Sequence, residues 1–225
     1  LGDFGKGVDG GKKREENFFE LIQALEDKTT IDRYRISSIE PNLLTDEMIQ
    51  WVSKSKRFMP HFHIPLQSGS DTVLKLMQRR YNTDLYRSKI ELINQWIPDA
   101  AIGVDVIVGS PGETDAYFKE TFDFLHSLEI SYLHVFTYSE RAMTKALDIK
   151  PVIPMNVRQD RNKILRNLSY QKQQYFAAKF SGTTRKVLFE SSNKNDELEG
   201  YTDNYIRVTA GYKPEWANQI MDWNL

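Results

Sequence analysis

The 225-residue sequence predicts an α/β protein whose parallel β-sheet is open or closed into a partial (βα) barrel, followed by a small β module. Segments with helical and strand-like periodicity alternate over residues 15–180, which is typical of βαβ units around a parallel sheet. Residues 101–108 are apolar at nearly every position, as expected of a strand buried on both faces. After Gly182 the pattern changes to short strands separated by polar turns. We therefore expect one unit at residues 1–181 and a second at residues 182–225.

Taken in order, the elements of the first unit alternate in type. We expect a glycine-rich loop at 5–11, a helix at 15–28, a strand at 33–39, a helix at 46–54 capped by Thr45, a strand at 61–65, and helices at 71–77 and 83–96. The strand at 101–108 is followed by a helix at 113–128, a strand at 132–138, and a long helix that Asn156 caps, that runs to about Phe180 and that Gly182 ends. Four strands are too few for a full eightfold barrel. In the second unit we expect strands at 185–190, 198–202 and 205–209.

The composition excludes several classes of protein. The chain has no cysteine, so a disulfide scaffold, a cysteine nucleophile and a thiolate-held metal or iron–sulfur cluster are impossible within these residues. No apolar run approaches the roughly 18 residues of a membrane span, and no signal-peptide pattern opens the sequence, so we expect no membrane partner. The sequence begins Leu1-Gly2-Asp3-Phe4-Gly5, without an initiator methionine, and we expect it to be a fragment of a longer protein.

Charge is distributed unevenly along the chain. The net charge is −1 overall, but residues 141–190 carry eleven Lys/Arg and three Asp/Glu, a net charge of +8. A basic segment in an otherwise acidic chain indicates an anionic partner that this region contacts. Charge alone favours a solvated helix face equally well, so both interpretations stay open at this point.

Polar side chains follow four of the predicted strands, at the edge where parallel α/β folds bind their ligands. They are, in chain order, Ser37, Ser38 and Glu40; His61, His63, Gln67, Ser68 and Ser70; Asp105 and Glu113; and Tyr138, Glu140 and Arg141. Packing does not require this much polarity. The sequence therefore predicts a ligand site at this edge of the sheet.

Two short motifs do not identify that ligand by themselves. His61 and His63 share a strand face, a spacing that metal-dependent barrel hydrolases use for zinc. Only His126 and His134 remain as further histidines, which favours hydrogen-bonded structural histidines and no metal ligand. Residues 109–113 place glycines before a helix, but they lack the GxGxxG spacing and the Walker lysine, and they suit a helix cap equally well.

Four segments together resemble the radical S-adenosylmethionine methylthiotransferases. They are HFHIPLQSGSD at 61–71, similar to that family's H-x-P-L-Q-S-G-S; MQRRY at 77–81, similar to M-x-R-x-Y; DVIVGSPGET at 105–114, similar to D-x-I-V-G-F-P-G-E-T; and VFTYSER at 135–141, similar to V-F-x-Y-S-x-R. Order and spacing agree over about residues 1–190. Residues 182–225 look like the start of the family's TRAM domain, a small β-barrel that binds RNA.

The resemblance implies a partial radical S-adenosylmethionine barrel and a cytoplasmic, tRNA-modifying transferase. Such an enzyme inserts a methylthio group at the adenine ring of a modified adenosine beside the anticodon. Its cofactors are S-adenosylmethionine and 4Fe–4S clusters, and the first cluster is held by a Cys-x3-Cys-x2-Cys loop. All those cysteines are expected before Leu1, so we expect this chain to be inactive alone. The edge left by missing barrel strands is expected to favour self-association.

Carried over residue by residue, the resemblance implies a site for S-adenosylmethionine. Asp105, Ile107 and Glu113 correspond to the motif that packs against the adenine and supports the nucleoside. Gln67 and Ser68 correspond to positions that bind ribose hydroxyls, a role that suits an amide and a hydroxyl because each can donate and accept hydrogen bonds. No catalytic residue is expected within this chain.

Other residues are expected to contact the tRNA. The segment 35–41, which includes Glu40, resembles the branch acting on threonylcarbamoyladenosine; the isopentenyl-adenosine branch more often has Ser-His-Pro in place of Ile-Glu-Pro, and the ribosomal-protein branch fits less well. We expect Arg141 to contact the target nucleotide, and Arg185 and Lys186 to contact the tRNA backbone. A non-catalytic RNA-binding α/β module remains the alternative from a different class.

Overall fold

A parallel sheet forms the centre of the first unit. The computed structural model describes residue 4, residues 17–192 and residues 196–225. Its first sheet has the order β1-β2-β3-β4, and each neighbouring pair is parallel. The strands are β1 (Tyr34–Ile36), β2 (Phe58–His63), β3 (Ala101–Val108) and β4 (Tyr132–Thr137). The predicted α/β class with a partial parallel barrel is therefore confirmed.

Six α-helices connect and flank these strands. They are α1 (Phe18–Lys28), α2 (Asp46–Val52), α3 (Asp71–Leu76), α4 (Thr83–Trp96), α5 (Asp115–Ser127) and α6 (Met155–Ala178), with short 3-10 turns at Lys145–Asp148 and Pro214–Trp216. Polar side chains set several of the starts, because Asn17, Thr45, Asn82 and Thr114 each accept a hydrogen bond from a backbone N–H of the first turn. No helix among the described residues is long and apolar enough to cross a membrane.

Several predicted boundaries are wrong. The helix expected at 15–28 begins at Phe18 because Asn17 caps it, and the predicted loop at 5–11 lies outside the described residues. The long helix α6 begins at Met155 after Pro154 and not at an Asn156 cap. It also ends at Ala178, four residues before Gly182, whose φ of +76° belongs to the connection between the two sheets.

The two faces of the parallel sheet differ in polarity. Val104, Val106 and Val108 point to one face and are buried in the main hydrophobic core beneath the helices. The alternate residues of β3, including Gly103 and Asp105, point to the opposite face, which we call the open face. A Cβ atom at Gly103 would lie 2.3 Å from the phenol ring of Tyr132, so only glycine leaves room for that ring. The open face also carries His61, His63 and His134, one or two from each neighbouring strand.

The second sheet is antiparallel and begins at Thr184. Its order is β7-β6-β5-β8, from β5 (Thr184–Ser192), β6 (Glu197–Thr202), β7 (Arg207–Gly211) and β8 (Ile220–Asn224). Val187, Phe189, Leu198 and Val208 form its small core. This sheet is compatible with the predicted small barrel, but β8 is not among the strands expected from the sequence.

Polar contacts fix the second sheet against the amino-terminal edge of the first. Arg185 pairs with Asp99 at 2.9 Å and with Asp203 at 2.7 Å. The Asn204 amide donates to the Asp99 carbonyl at 3.3 Å, and the Arg33 guanidinium donates to the Lys186 carbonyl at 2.9 Å. The opposite, carboxyl edge of the parallel sheet is thus left to the loops that follow its strands.

Candidate functional site

The segment after β2 is tied to the middle of β3 by backbone hydrogen bonds. The N–H groups of Leu66 and Gln67 both donate to the Asp105 carbonyl, at 3.1 and 2.8 Å, and the Ile107 N–H donates to the Gln67 carbonyl at 2.9 Å. Gln67 adopts a φ of +74°, which lets the chain turn while it keeps this pairing. The structure therefore brings Gln67, Asp105 and Ile107 together, as expected for strand ends that meet at one edge.

A polar cluster lies beside this turn on the open face. His63 Nε2 lies 2.7 Å from Asp105 Oδ1, so the imidazole donates to a partly buried carboxylate. His134 is the register partner of Asp105 on β4, and its ring centroid is 5.3 Å from that of His63. Partial desolvation, followed by the nearby His63, lowers the pKa of His134. In the described part of the chain, these three residues are the group whose donor atoms lie close enough to hold a metal ion.

His61 has a different role from His63, although the two share a strand face. His61 is buried, its Nε2 shares a hydrogen bond of 2.8 Å with the Tyr132 hydroxyl, and its ring centroid is 4.4 Å from that of Tyr205 in the second unit. Burial, followed by the positive charge of Arg35, lowers the pKa of His61 to about 3. The prediction that both histidines are hydrogen-bonded is confirmed, and His61 is neutral at physiological pH.

Glu113 supports the turn after β3 from inside the protein. It is 2% exposed, its Oε2 accepts from the Gly109 N–H at 3.0 Å, and its Oε1 accepts from Arg161 at 2.8 Å. Burial raises the pKa of Glu113, although Arg161 and the Gly109 N–H oppose the shift. The carboxylate is thus committed to the turn after β3, and support of the nucleoside by Glu113 stays a prediction.

Ser68 is also committed to local structure. Its side chain is fully buried, and its hydroxyl lies 3.1 Å from Thr121 Oγ1 and accepts from the Ser70 N–H at 3.2 Å. The same Thr121 hydroxyl accepts from the Gly69 N–H at 3.1 Å, so helix α5 holds the turn. Binding of a ribose by Ser68 stays a prediction, and these contacts give the hydroxyl a structural partner that the sequence did not reveal.

The loop after β4 is held by a buried arginine. Arg158 donates to the carbonyls of Ile153 and Tyr138, at 2.7 and 2.9 Å, and to the Glu140 carboxylate. Arg141 follows Glu140 in this loop and is exposed, with no ion pair among the described residues.

Glu40, after β1, accepts a hydrogen bond from Arg79 at 3.2 Å. Contacts of Glu40 and Arg141 with a substrate stay predictions.

The basic segment is not a uniform surface. Arg158 and Arg161 are buried, and the Lys172 ammonium donates to the carbonyls of His126 and Leu128 at 3.2 and 2.7 Å. Burial lowers the pKa of Lys172 accordingly. Each of these three cations already neutralises or satisfies an internal group, so the net charge of the segment overstates the number of cations that an anionic partner could contact.

The cations that do reach solvent are fewer than the net charge suggests. Lys163, Arg166 and Lys186 are exposed, and neither Arg166 nor Lys186 makes an ion pair within the described ranges. Arg185 is partly buried between Asp99 and Asp203, so its guanidinium already has two partners. Contact of Arg185 and Lys186 with a tRNA backbone stays a prediction, and the geometry favours Lys186 for it.

Comparisons with known proteins agree with the motif pattern. A family model described as the radical SAM superfamily matches residues 8–125, just over half of the chain. Threonylcarbamoyladenosine tRNA methylthiotransferase MtaB of Bacillus subtilis is 37% identical over 88% of this chain and 45% of its own length, and the protein of the same name from Aquifex aeolicus is 36% identical over 88% and 47%. The tRNA-2-methylthio-N(6)-dimethylallyladenosine synthase of Staphylococcus aureus is 35% identical over 92% and 41%.

The chain thus spans a little under half the length of the curated relatives it matches. Among solved structures, coproporphyrinogen III oxidase (HemN) from Escherichia coli, titled a radical SAM enzyme, aligns with a TM-score of 0.45 and 13% identity, over 75% of this chain and 55% of that chain.

Proposed function

Because the chain belongs to the radical S-adenosylmethionine superfamily, we propose that it forms part of a tRNA-modifying methylthiotransferase. The proposed reaction adds a methylthio group to the adenine ring of threonylcarbamoyladenosine next to the anticodon. The observation that carries the proposal is the 37% identity to a threonylcarbamoyladenosine tRNA methylthiotransferase over 88% of the chain. In support, the segments that resemble that family form the hydrogen-bonded turns at the carboxyl edge of the parallel sheet. We also propose a cytoplasmic location, because the proposed substrate is a tRNA.

The residues at this edge fit the nucleoside part of S-adenosylmethionine. Gln67 offers an amide that both donates and accepts, Asp105 offers a carboxylate, and Ile107 offers a partly exposed apolar side chain. Ser68 and Glu113 hold the turns that position these three side chains. When bound, S-adenosylmethionine supplies radical chemistry that activates a carbon–hydrogen bond. The part of this chain is to bind the nucleoside and to fix its orientation.

An iron–sulfur cluster does not fit the residues of this chain. Such clusters are held by cysteine thiolates, and the chain contains no cysteine. The superfamily implies a cluster, so its ligands have to come from residues other than these, and we derive no step through it. The activity proposed here is accordingly that of the longer protein to which the chain contributes.

The proposal is tested with the full-length protein that carries this chain, reconstituted anaerobically and supplied with S-adenosylmethionine. The substrates are two tRNAs, one with threonylcarbamoyladenosine and one with dimethylallyladenosine beside the anticodon. We expect mass spectrometry of the digested nucleosides to show methylthio product from the first tRNA. Asp105→Asn is expected to lower the yield of product, whereas Lys54→Ala, which removes an exposed cation from the turn after α2, is expected to leave it unchanged.

Two results would contradict this proposal. Product from the dimethylallyladenosine tRNA alone would assign the protein to the other branch, whose relative is 35% identical. Absence of product from both tRNAs, with a fully loaded cluster and intact tRNA binding, would leave only the RNA-binding alternative.

A further inference from the structure

The outer edge of β4 is covered by side chains of helix α6. The Asn162 amide donates to the Val135 carbonyl and to the Thr137 hydroxyl, both at 3.2 Å. The Ser169 hydroxyl accepts from the Leu133 N–H at 2.8 Å and donates to the Leu133 carbonyl at 3.0 Å. Ser169 lies seven positions after Asn162, about two helical turns, so both lie on the same face of α6. A further strand cannot pair with these backbone groups unless it displaces both side chains.

A groove therefore runs between this covered edge and the solvent side of α6. We call it the β4 groove and define it by Phe136, Asn162, Arg166, Tyr170 and Gln173. Its volume is about 740 Å³. The groove is continuous with the open face, because His134 also lines it and is the register partner of Asp105.

The side chains of the β4 groove are unusual for a surface without a ligand. Phe136 is 53% exposed and Tyr170 is 63% exposed, so two aromatic rings face solvent on opposite sides of the groove. Arg166 lines the same groove from α6, four positions before Tyr170, and is exposed, with no ion pair in the described part of the chain. No carboxylate lines the groove among the described residues. Exposed aromatic faces beside an unpaired guanidinium fit stacked bases and a phosphate.

We propose that the β4 groove binds unpaired nucleotides of an RNA loop that flank the adenosine to be modified. Phe136 and Tyr170 stack on bases, Arg166 contacts a phosphate, and the Gln173 amide, which lines the same groove, pairs with a base edge. Since His134 connects the groove to Asp105, a nucleotide in the groove holds its neighbour over the candidate site. This inference rests on the proposed function, because it takes an RNA loop as the substrate.

The test uses the full-length protein and an anticodon stem–loop RNA, with binding followed by fluorescence anisotropy at several salt concentrations. Tyr170→Ala is expected to weaken binding by roughly 5- to 150-fold, the range for loss of one stacked base. Arg166→Ala is expected to flatten the plot of log affinity against log salt by about 0.7, since one phosphate contact to a single strand is lost. A fully paired duplex of the same stem is expected to bind all variants equally.

Matched controls lie on the same protein. Tyr175→Ala removes a tyrosine that is 59% exposed on α6 but outside the groove, and Lys54→Ala removes an exposed cation from the turn after α2. Tyr170→Phe keeps the ring and is expected to restore binding, which separates stacking from misfolding. Equal affinity of the Tyr170→Ala and Tyr175→Ala proteins for the loop would overturn the inference. Equal losses for loop and duplex would also overturn it, because the groove would then not recognise unpaired bases.

The two proposals fail in different ways. If the wild-type protein binds the loop through the groove but forms no methylthio product, the proposed reaction is wrong and the groove stands. If product forms normally while the groove variants bind the loop like the controls, the groove is wrong and the proposed reaction stands.

Discussion

The amino and carboxyl ends of the parallel sheet use the same residue types for different purposes. At the amino ends, His61 and Tyr132 are packed against Tyr205 of the second unit and hydrogen-bonded to each other. Toward the carboxyl ends, His63 pairs with Asp105 at a surface that stays partly open. His61 and His63 are two residues apart on one strand. The difference teaches that the neighbouring element, and not the strand itself, decides whether a polar side chain is structural or available.

The largest expected effect is a loss of stability when the buried ion pair between Arg161 and Glu113, after β3, is broken. Arg161→Met removes the cation that faces the buried Glu113, and an unpaired buried charge is expected to destabilise the protein by about 3–5 kcal/mol. Lys163→Met, on the same helix but 77% exposed, is the matched control and is expected to change stability by less than about 0.5 kcal/mol. Urea unfolding followed by circular dichroism measures both, and similar losses in the two variants would contradict the buried ion pair.

The next effect concerns the amino ends of the parallel strands, where the second unit packs against the sheet. Tyr205→Ala removes the ring that contacts His61, Tyr132 and Tyr201, and we expect a loss of about 2 kcal/mol for this half-buried aromatic. Because Tyr205 joins the two units, we also expect differential scanning calorimetry to show two thermal transitions that are less coupled than in the unmodified protein. Tyr212→Ala, at an exposed position of the second unit, serves as control. A single sharp transition in the Tyr205→Ala protein would speak against this role.

A third effect follows from the low pKa of His61. Its pKa is about 3 in the folded protein and about 6.5 in the unfolded chain, so below pH 6.5 the unfolded state binds more protons. Stability is therefore full above pH 6.5 and falls as the pH decreases, by about 1 kcal/mol between pH 6.5 and 5.5 from this residue. His134 titrates in the same direction. Comparing the free energy of unfolding at several pH values between the unmodified protein and His61→Gln isolates the contribution of His61. An identical slope of that free energy against pH in the two proteins would contradict the prediction.

The smallest stability effect is expected at the open carboxyl end. Arg141 is exposed and has no ion pair in the described ranges, so Arg141→Ala should change the free energy of unfolding by less than about 0.5 kcal/mol. In the full-length protein the same change is expected to reduce turnover without altering the salt dependence of tRNA binding, because we expect Arg141 to contact the target nucleotide and not the tRNA backbone. A variant with unchanged turnover would remove Arg141 from the substrate-contacting set.

The sequence predicts the parts of the fold that depend on local pattern. The strand β3 matches its predicted bounds because every second residue is apolar on the core side, and the others are small or apolar except Asp105. The proximity of Gln67 and Asp105 also follows from pattern, since the ends of neighbouring parallel strands meet at one edge. By contrast, β8 follows a turn near the end of the sequence and pairs with β5, more than thirty residues away, so no local signal marks it.

The roles of charged residues depend on contacts that local pattern does not contain. Arg158 and Arg161 have the spacing of an exposed basic stripe, yet each is buried against a loop that precedes it by many residues. Glu113 carries the family motif, but only the position of Arg161 shows that its carboxylate turns inward. The role of Arg185 also depends on contacts that local pattern does not contain, because its partners Asp99 and Asp203 lie in two different units.

Because Asn162 and Ser169 cover the β4 edge of the parallel sheet, the sheet can be extended from its other edge. On the β4 side, the Leu133 backbone and the Val135 carbonyl already have side-chain partners, so an added strand would have to displace them. On the other side, β1 has no strand beyond it among the described residues. Any strand added to this sheet, whether from the same polypeptide or from a second copy, is therefore directed to β1. The expected self-association has one available side, and a barrel completed in this way keeps a lateral opening at β4.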